Sequence, residues 1–116
     1  MSQAQPSGVT LGAASAGSTE PQWVPFRPGI EIKRLFKHPD TGYEVAMLRY
    51  APGASAPLHR HRADEHVFVL SGSQRDERGS YPAGSYVYNA AGTSHSVRSD
   101  HGCEVLIHWL APVEFL

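Results

Sequence analysis

His59, His61 and Glu65 fall within seven residues of one another, in the run His59-Arg60-His61-Arg62-Ala63-Asp64-Glu65, and His95 follows further along the chain. Neutral imidazole nitrogens and carboxylate oxygens are the donors that borderline divalent metals take. Strand side chains alternate between faces, so an extended run would put positions 59, 61 and 65 on one side. His66 has the opposite parity and is expected to point away. A lone histidine on a strand is ordinarily a solvated or hydrogen-bonded side chain. Here the chain carries seven histidines against ten lysines and arginines, and four of the seven (His59, His61, His66, His95) lie between residues 59 and 95. Three imidazoles and a carboxylate brought together in a core would suffer uncompensated desolvation, and a bound metal is the usual remedy. The expected ligands are therefore His59, His61, Glu65 and His95, holding one divalent transition metal per chain: Fe(II) or Zn, with Ni and Mn as further options.

The elements that must position these side chains are short. Turn signals recur along the chain: Pro28-Gly29, His38 to Gly42, Ala51-Pro52-Gly53, Ser71-Gly72-Ser73, Gly79, Pro82-Ala83-Gly84, Ala91-Gly92 and His101-Gly102. Between them lie IEIKRLFK, YEVAMLRY, EHVFVL, SYVYN, HSVRS and CEVLIHWL, rich in β-branched and aromatic residues. Several alternate apolar with polar, and none keeps a helical period. Many short strands at such spacing predict an all-β sandwich or barrel. Residues 1–22 are mostly Ser, Ala, Gly, Gln, Thr and Pro, and read as a disordered tail. Residues 23–116 read as a single folded domain.

Composition removes several function classes. The net charge of −1 leaves no cationic excess to neutralise phosphates, so no nucleic-acid partner is expected. No apolar run approaches the ~18 residues of a membrane-spanning helix, and no basic amphipathic segment suits a membrane surface. The single cysteine, Cys103, excludes an intrachain disulfide and reads as a small buried residue at the start of a strand. The first residues lack the charge and apolar core of a secretory signal, so a cytoplasmic location is expected. Open sheet edges, read at 30–37 and 104–116, predict a two-fold homodimer. Trp109 and Tyr88 read as core or interface aromatics.

From Gly53 to Gly72 the chain reads Gly, five residues, His-x-His, three residues, Glu, six residues, Gly. This is similar to the first motif of the cupins, without gap or exception. Gly84, Gly92 and His95 resemble the second motif, with Ala90 where Pro is usual and Ser99 where Asn is usual. More narrowly, LRYAPGASAPLHRHRADEHVFVLSGS and the segments after it resemble the ChrR-like cupins. The resemblance implies an all-β, single-domain double-stranded β-helix, a jelly-roll barrel. It assigns the same four ligands, His59, His61, Glu65 and His95.

Two functions follow from that resemblance. Four protein donors fill a tetrahedral zinc ion, which suits a regulatory or sensor domain like the cupin half of the anti-sigma factor ChrR. The same donors on octahedral Fe(II) leave two positions open, the geometry of non-haem iron oxygenases. The resemblance then implies a standalone dioxygenase acting on a small dicarbonyl or hydroxyketone. Residues 1–22 contain neither Cys nor His, so the second zinc site of an anti-sigma factor is not expected here. A barrel in which the metal only adds stability is the third reading.

Overall fold

A computed structural model describes residues 20–116; the expected tail falls largely on residues 1–19, which lie outside the described residues. Ten strands form one continuous antiparallel system: β1 (Trp23–Arg27), β2 (Ile30–Lys37), β3 (Glu44–Tyr50), β4 (Ser55–Arg60), β5 (Glu65–Asp76), β6 (Gly79–Pro82), β7 (Tyr86–Asn89), β8 (Ser94–Arg98), β9 (Cys103–Trp109) and β10 (Glu114–Phe115). The strand order is β1-β2-β3-β9-β5-β8-β4-β10, with β6 and β7 also on β5. No helix occurs among the described residues, and the all-β architecture is the class that the resemblance implies.

Period-two patterning decides which side chains enter the core. On β9, Cys103, Val105, Ile107 and Trp109 are buried while the residues between them are half-buried. Ala46, Leu48 and Tyr50 on β3 and Val67 and Val69 on β5 are buried as well, and with Ile30, Ile32, Val87 and Val97 they make one core. The inward row of β5 begins with Glu65, and the inward row of β9 ends with Trp109, its cross-strand partner. The polar site thus occupies inward positions at one end of an otherwise apolar interior.

Strand β4 departs from the simple pattern. Its register with β8 shifts between Ala56 and His59, so both of these face inward although they differ in parity. Pro57 sits in that irregularity, a position where a missing N–H breaks no ladder bond. Ser71-Gly72-Ser73, expected as a turn, lies inside the twelve-residue β5. The turn chemistry makes a bend instead. The register against β9 shifts between Val69 and Ser71, and beyond it β5 pairs with β6. Of the expected open edges, 30–37 is covered and 104–116 is an edge only at β10. Strand β2 is covered by β1, and β9 lies between β3 and β5; the chain ends of the order are β1 and β10.

Gly72 fixes that bend. Its φ is +69°, and a Cβ there would meet the Gly102 carbonyl oxygen at 2.0 Å. Gly84 has φ +91° with nothing within 4 Å of the same added atom. Gly84→Ala should cost only the left-handed backbone penalty, about 1 kcal/mol, whereas Gly72→Ala must also displace backbone and should lose at least ~2–3 kcal/mol. Thermal melts followed by circular dichroism should show the Gly72 variant melting well below the Gly84 variant; equal losses would contradict this placement of the bend.

Candidate metal centre

His59 on β4 and His95 on β8 are direct cross-strand partners, with ring centroids 4.6 Å apart. His61 follows the end of β4, where the backbone bends across residues 61–64 before β5 begins. The run is therefore not one extended strand, and shared parity is not what aligns its ligands. Two backbone bonds hold His61 instead: its N–H donates to Thr93 O at 2.9 Å, and its carbonyl accepts from Gly92 N at 2.7 Å. Its ring then stands 4.7 Å from that of His95. One ring nitrogen from each of His59, His61 and His95 lies within 4.8 Å of the others, and all three residues are buried.

Hydrogen bonds fix which nitrogen of each ring carries the proton. His59 Nδ1 is 2.9 Å from Pro57 O, and a carbonyl only accepts, so Nδ1–H donates. The Thr93 hydroxyl donates to Ala90 O at 2.6 Å, leaving its oxygen to accept from His61 Nδ1–H at 3.0 Å. His95 Nδ1 is 2.9 Å from Asp76 Oδ2. Burial alone would raise the Asp76 carboxyl, but the His95 hydrogen bond, the Arg78 backbone N–H and the Tyr81 hydroxyl outweigh it and hold the pKa at about 2. Asp76 is therefore an acceptor, and His95 Nδ1 is the donor. All three Nε2 atoms keep their lone pairs. Those of His61 and His95 are sealed from solvent with no hydrogen-bond partner among the described residues. Buried lone pairs without donors call for a proton or a metal.

Glu65 lies beside this triad. Its Oε1 stands 3.4 Å from His61 Nε2. Its two strand neighbours are also its donors: Asn89 Nδ2 to Oε1 at 2.8 Å, and Trp109 Nε1 to Oε2 at 2.5 Å. Burial would push the Glu65 carboxyl up, but His61 whenever its ring is protonated, and the Trp109 and Asn89 hydrogen bonds at all times, lower it, so the group is ionised. Two acceptors, an imidazole lone pair and a carboxylate oxygen, thus face each other. A cation between them resolves the conflict. The donor set of nitrogen and oxygen fits a divalent transition metal.

The structure also places groups that spacing alone does not reveal. Asp76, Asn89 and Thr93 orient the ring nitrogens and the carboxylate, yet they come from β5, β7 and the turn before β8. Trp109, expected as a core aromatic, is buried and also holds Glu65. Tyr88, by contrast, is 48 % exposed. His66 faces outward, hydrogen-bonded to the Tyr86 hydroxyl through Nδ1 and 5.2 Å from the Tyr88 ring. Cys103 is a buried free thiol at the first residue of β9.

His59, His95 and Glu65 border a cavity of about 30 Å³, lined by Leu48, Val67, Val87, Val97 and Ile107 besides the polar residues. Phe115 of β10, the cross-strand partner of His59, packs against that ring at 5.5 Å. Arg27 covers the other side of Phe115 at 3.6 Å, and Phe26 contacts both Phe115 and Trp109. Strands β1 and β10 therefore wall one side of the cavity with aromatic rings.

Comparison with known proteins gives one family. The model of the ChrR cupin-like domain matches residues 13–114. An acetylacetone dioxygenase from Acinetobacter johnsonii superposes with a TM-score of 0.78 at 20% identity, covering 100% of this chain and 85% of that one. A candidate acetylacetone dioxygenase from Methylibium petroleiphilum PM1 superposes with a TM-score of 0.78 at 24% identity over 83% of this chain and 75% of its own. The Rhodobacter sphaeroides complex of SigE with the anti-sigma ChrR matches with a TM-score of 0.69 at 23% identity, over 76% of this chain. There the present chain spans about half of its counterpart, 49%. A search of curated proteins returns no match.

Two outcomes follow from the geometry. Asp76→Asn replaces the ionised acceptor of His95 with a neutral amide, and should weaken divalent-metal binding ~10–100-fold in a competition titration. Unchanged affinity would mean that Asp76 does not orient His95. The second concerns acid. Burial is the main cause that lowers the His59 pKa, partly opposed by the Pro57 carbonyl and reinforced by His95. A lowered folded value means that the unfolded chain takes up the proton first. His59 then stabilises the metal-free fold above the unfolded imidazole value of ~6.5, and that contribution fades as pH falls below it. Urea melts of metal-free protein should lose stability between pH 7.5 and 5.5; a flat profile would contradict the burial of a neutral His59.

Proposed function

The chain belongs to the ChrR cupin-like domain family, and on that premise we propose that it is a metal-dependent dioxygenase acting on a small dicarbonyl or hydroxyketone. His59, His61 and His95 hold one divalent ion through Nε2, with Glu65 as the fourth donor; Fe(II) suits this reading. When bound, the ion supplies a Lewis acid that stabilises negative charge on a ligand oxygen.

The protein's own groups do the rest. Asp76, Thr93 and the Pro57 carbonyl keep the Nδ1 protons in place, so the Nε2 lone pairs stay available. Asn89 and Trp109 each occupy one oxygen of Glu65, which leaves Oε1 a single lone pair toward His61 and disfavours two-oxygen binding. The apolar walls and the Phe26–Phe115 contact exclude bulk water, which strengthens every charge interaction inside. The cavity has room for about two or three water-sized groups, enough for the oxygen-bearing end of a small ligand.

The cavity against His59, His95 and Glu65 is the observation that carries the catalytic reading, because a purely structural ion has no use for an adjoining space. The similarity to two acetylacetone dioxygenase structures supports the fold on which it rests. One observation favours a second reading: Glu65 beside the triad completes a four-donor set, which would close a tetrahedral zinc site and suit a sensor domain. We also propose a two-fold homodimer. The supporting surface is the outer sheet face, where Phe68, Leu70, Tyr86 and Tyr88 are each at least 36 % exposed.

Metal analysis after anaerobic purification, followed by an oxygen electrode with Fe(II)-loaded protein and a panel of β-dicarbonyls, separates the readings. Iron with O₂ uptake is expected. His95→Ala should abolish uptake and most metal binding, Glu65→Gln should retain metal while changing turnover, and His66→Ala should be close to silent. Stoichiometric zinc and no uptake across the panel would favour the sensor.

A further inference from the structure

Every polar side chain lining the cavity can be followed to its partners, and two have none. Glu65, Asp76, Asn89 and Tyr81 are engaged with one another or with Trp109, Arg78 and His95. The imidazoles spend their Nδ1 protons on Pro57, Thr93 and Asp76. What remains is the Tyr50 hydroxyl from β3 and the Gln74 amide from the second half of β5. Both residues line the cavity, with 4 % and 7 % of their surface exposed. Neither side chain makes a hydrogen bond among the described residues. Among the described residues the sealed, unpartnered side-chain atoms are His61 Nε2 and His95 Nε2, so the polar ends of Tyr50 and Gln74 border open space. A buried amide and a buried hydroxyl without partners are costly to keep, and each is replaceable by an apolar side chain of similar shape.

We infer that Gln74 and Tyr50 are the ligand-recognising groups of this cavity, and that they select a small uncharged molecule with two oxygen functions. One oxygen would lie at the imidazoles. The other would be held by the Gln74 amide and the Tyr50 hydroxyl, both of which donate and accept. The inference rests on the metal-centre reading above and narrows its ligand. Charge supports the selection: no Lys or Arg lines the cavity, and the carboxylates of Glu65 and Asp76 already balance a bound dication, so a charged group at the Gln74 and Tyr50 end would find no cation of its own. Burial, with smaller effects of Cys103 and Glu65, pushes the Tyr50 hydroxyl well above its ordinary range, so it remains a neutral donor. The apolar remainder of the lining takes the alkyl part of the ligand.

Two measurements test this, on Gln74→Leu and Tyr50→Phe. The first is the melting temperature of the metal-free protein. Groups held for a ligand contribute nothing to the empty fold, so both variants should melt at or a few degrees above the wild-type temperature. A fall of more than ~5 °C in either would make that residue structural and overturn its assignment. The second uses Co(II)-loaded protein, with acetylacetone as the probe and the visible Co(II) absorption as the readout. Wild type should respond saturably. Gln74→Leu should raise the apparent Kd ~10-fold and Tyr50→Phe ~3–10-fold, with Co(II) affinity unchanged. Wild-type affinity for the probe in both variants would overturn the inference and leave the dicarbonyl reading standing. No response from wild type would remove the dicarbonyl reading, with the melting temperatures still deciding for or against the two residues.

Discussion

Three imidazoles and a carboxylate share the interior of a small apolar barrel, and their burial is tolerable only if every polar atom among them has a partner. That constraint organises the site. Each Nδ1 proton is given to a fixed oxygen: a carbonyl at Pro57, a hydroxyl at Thr93 and an ionised carboxylate at Asp76. Glu65 receives Asn89 and Trp109. After all of these bonds are made, the Nε2 lone pairs and one side of Glu65 Oε1 still face each other. Acceptors in that arrangement repel until a proton or a metal stands between them.

The fold meets the constraint by ordinary strand geometry. Residues opposite each other on paired strands point to one face. Glu65 thereby meets Asn89 on one side and Trp109 on the other, and His59 meets His95 and Phe115. The shift beside Pro57 turns His59 inward and frees the carbonyl that its ring needs. The bend at Gly72 lets one long strand serve two purposes. Its first half carries Glu65 and the core valines, and its second half carries Gln74 and Asp76 to the cavity.

The sequence made much of this legible, through spacing. The positions of Gly53, His59, His61, Glu65, Gly72, Gly84, Gly92 and His95 pointed to the cupin barrel, and the alternation at the start of IEIKRLFK and in SYVYN matches the burial seen in β2 and β7. Other features were hidden because they depend on pairing between distant segments. Ser71-Gly72-Ser73 has the composition of a turn, and only the pairing with β6 shows that the strand continues through it. The edge assigned to 30–37 disappears once β1 covers β2, and of 104–116 only β10 ends the strand order, because β9 enters the sheet centre. Asp76, Asn89 and Thr93 stand in segments with no metal-site signature, and their roles come from the rings they reach. The shared parity of 59, 61 and 65 presumed one extended strand, whereas two strands and a bent connection bring the same side chains together.

The central claim is the donor set itself, and X-ray absorption on protein loaded with one equivalent of Zn or Fe(II) reads it most directly. The expected first shell holds three imidazole nitrogens, recognisable by multiple scattering from the rings, and one carboxylate oxygen, all at about 2.0–2.2 Å. A shell with one imidazole or none, or with sulfur from Cys103, would contradict the site built from His59, His61, Glu65 and His95.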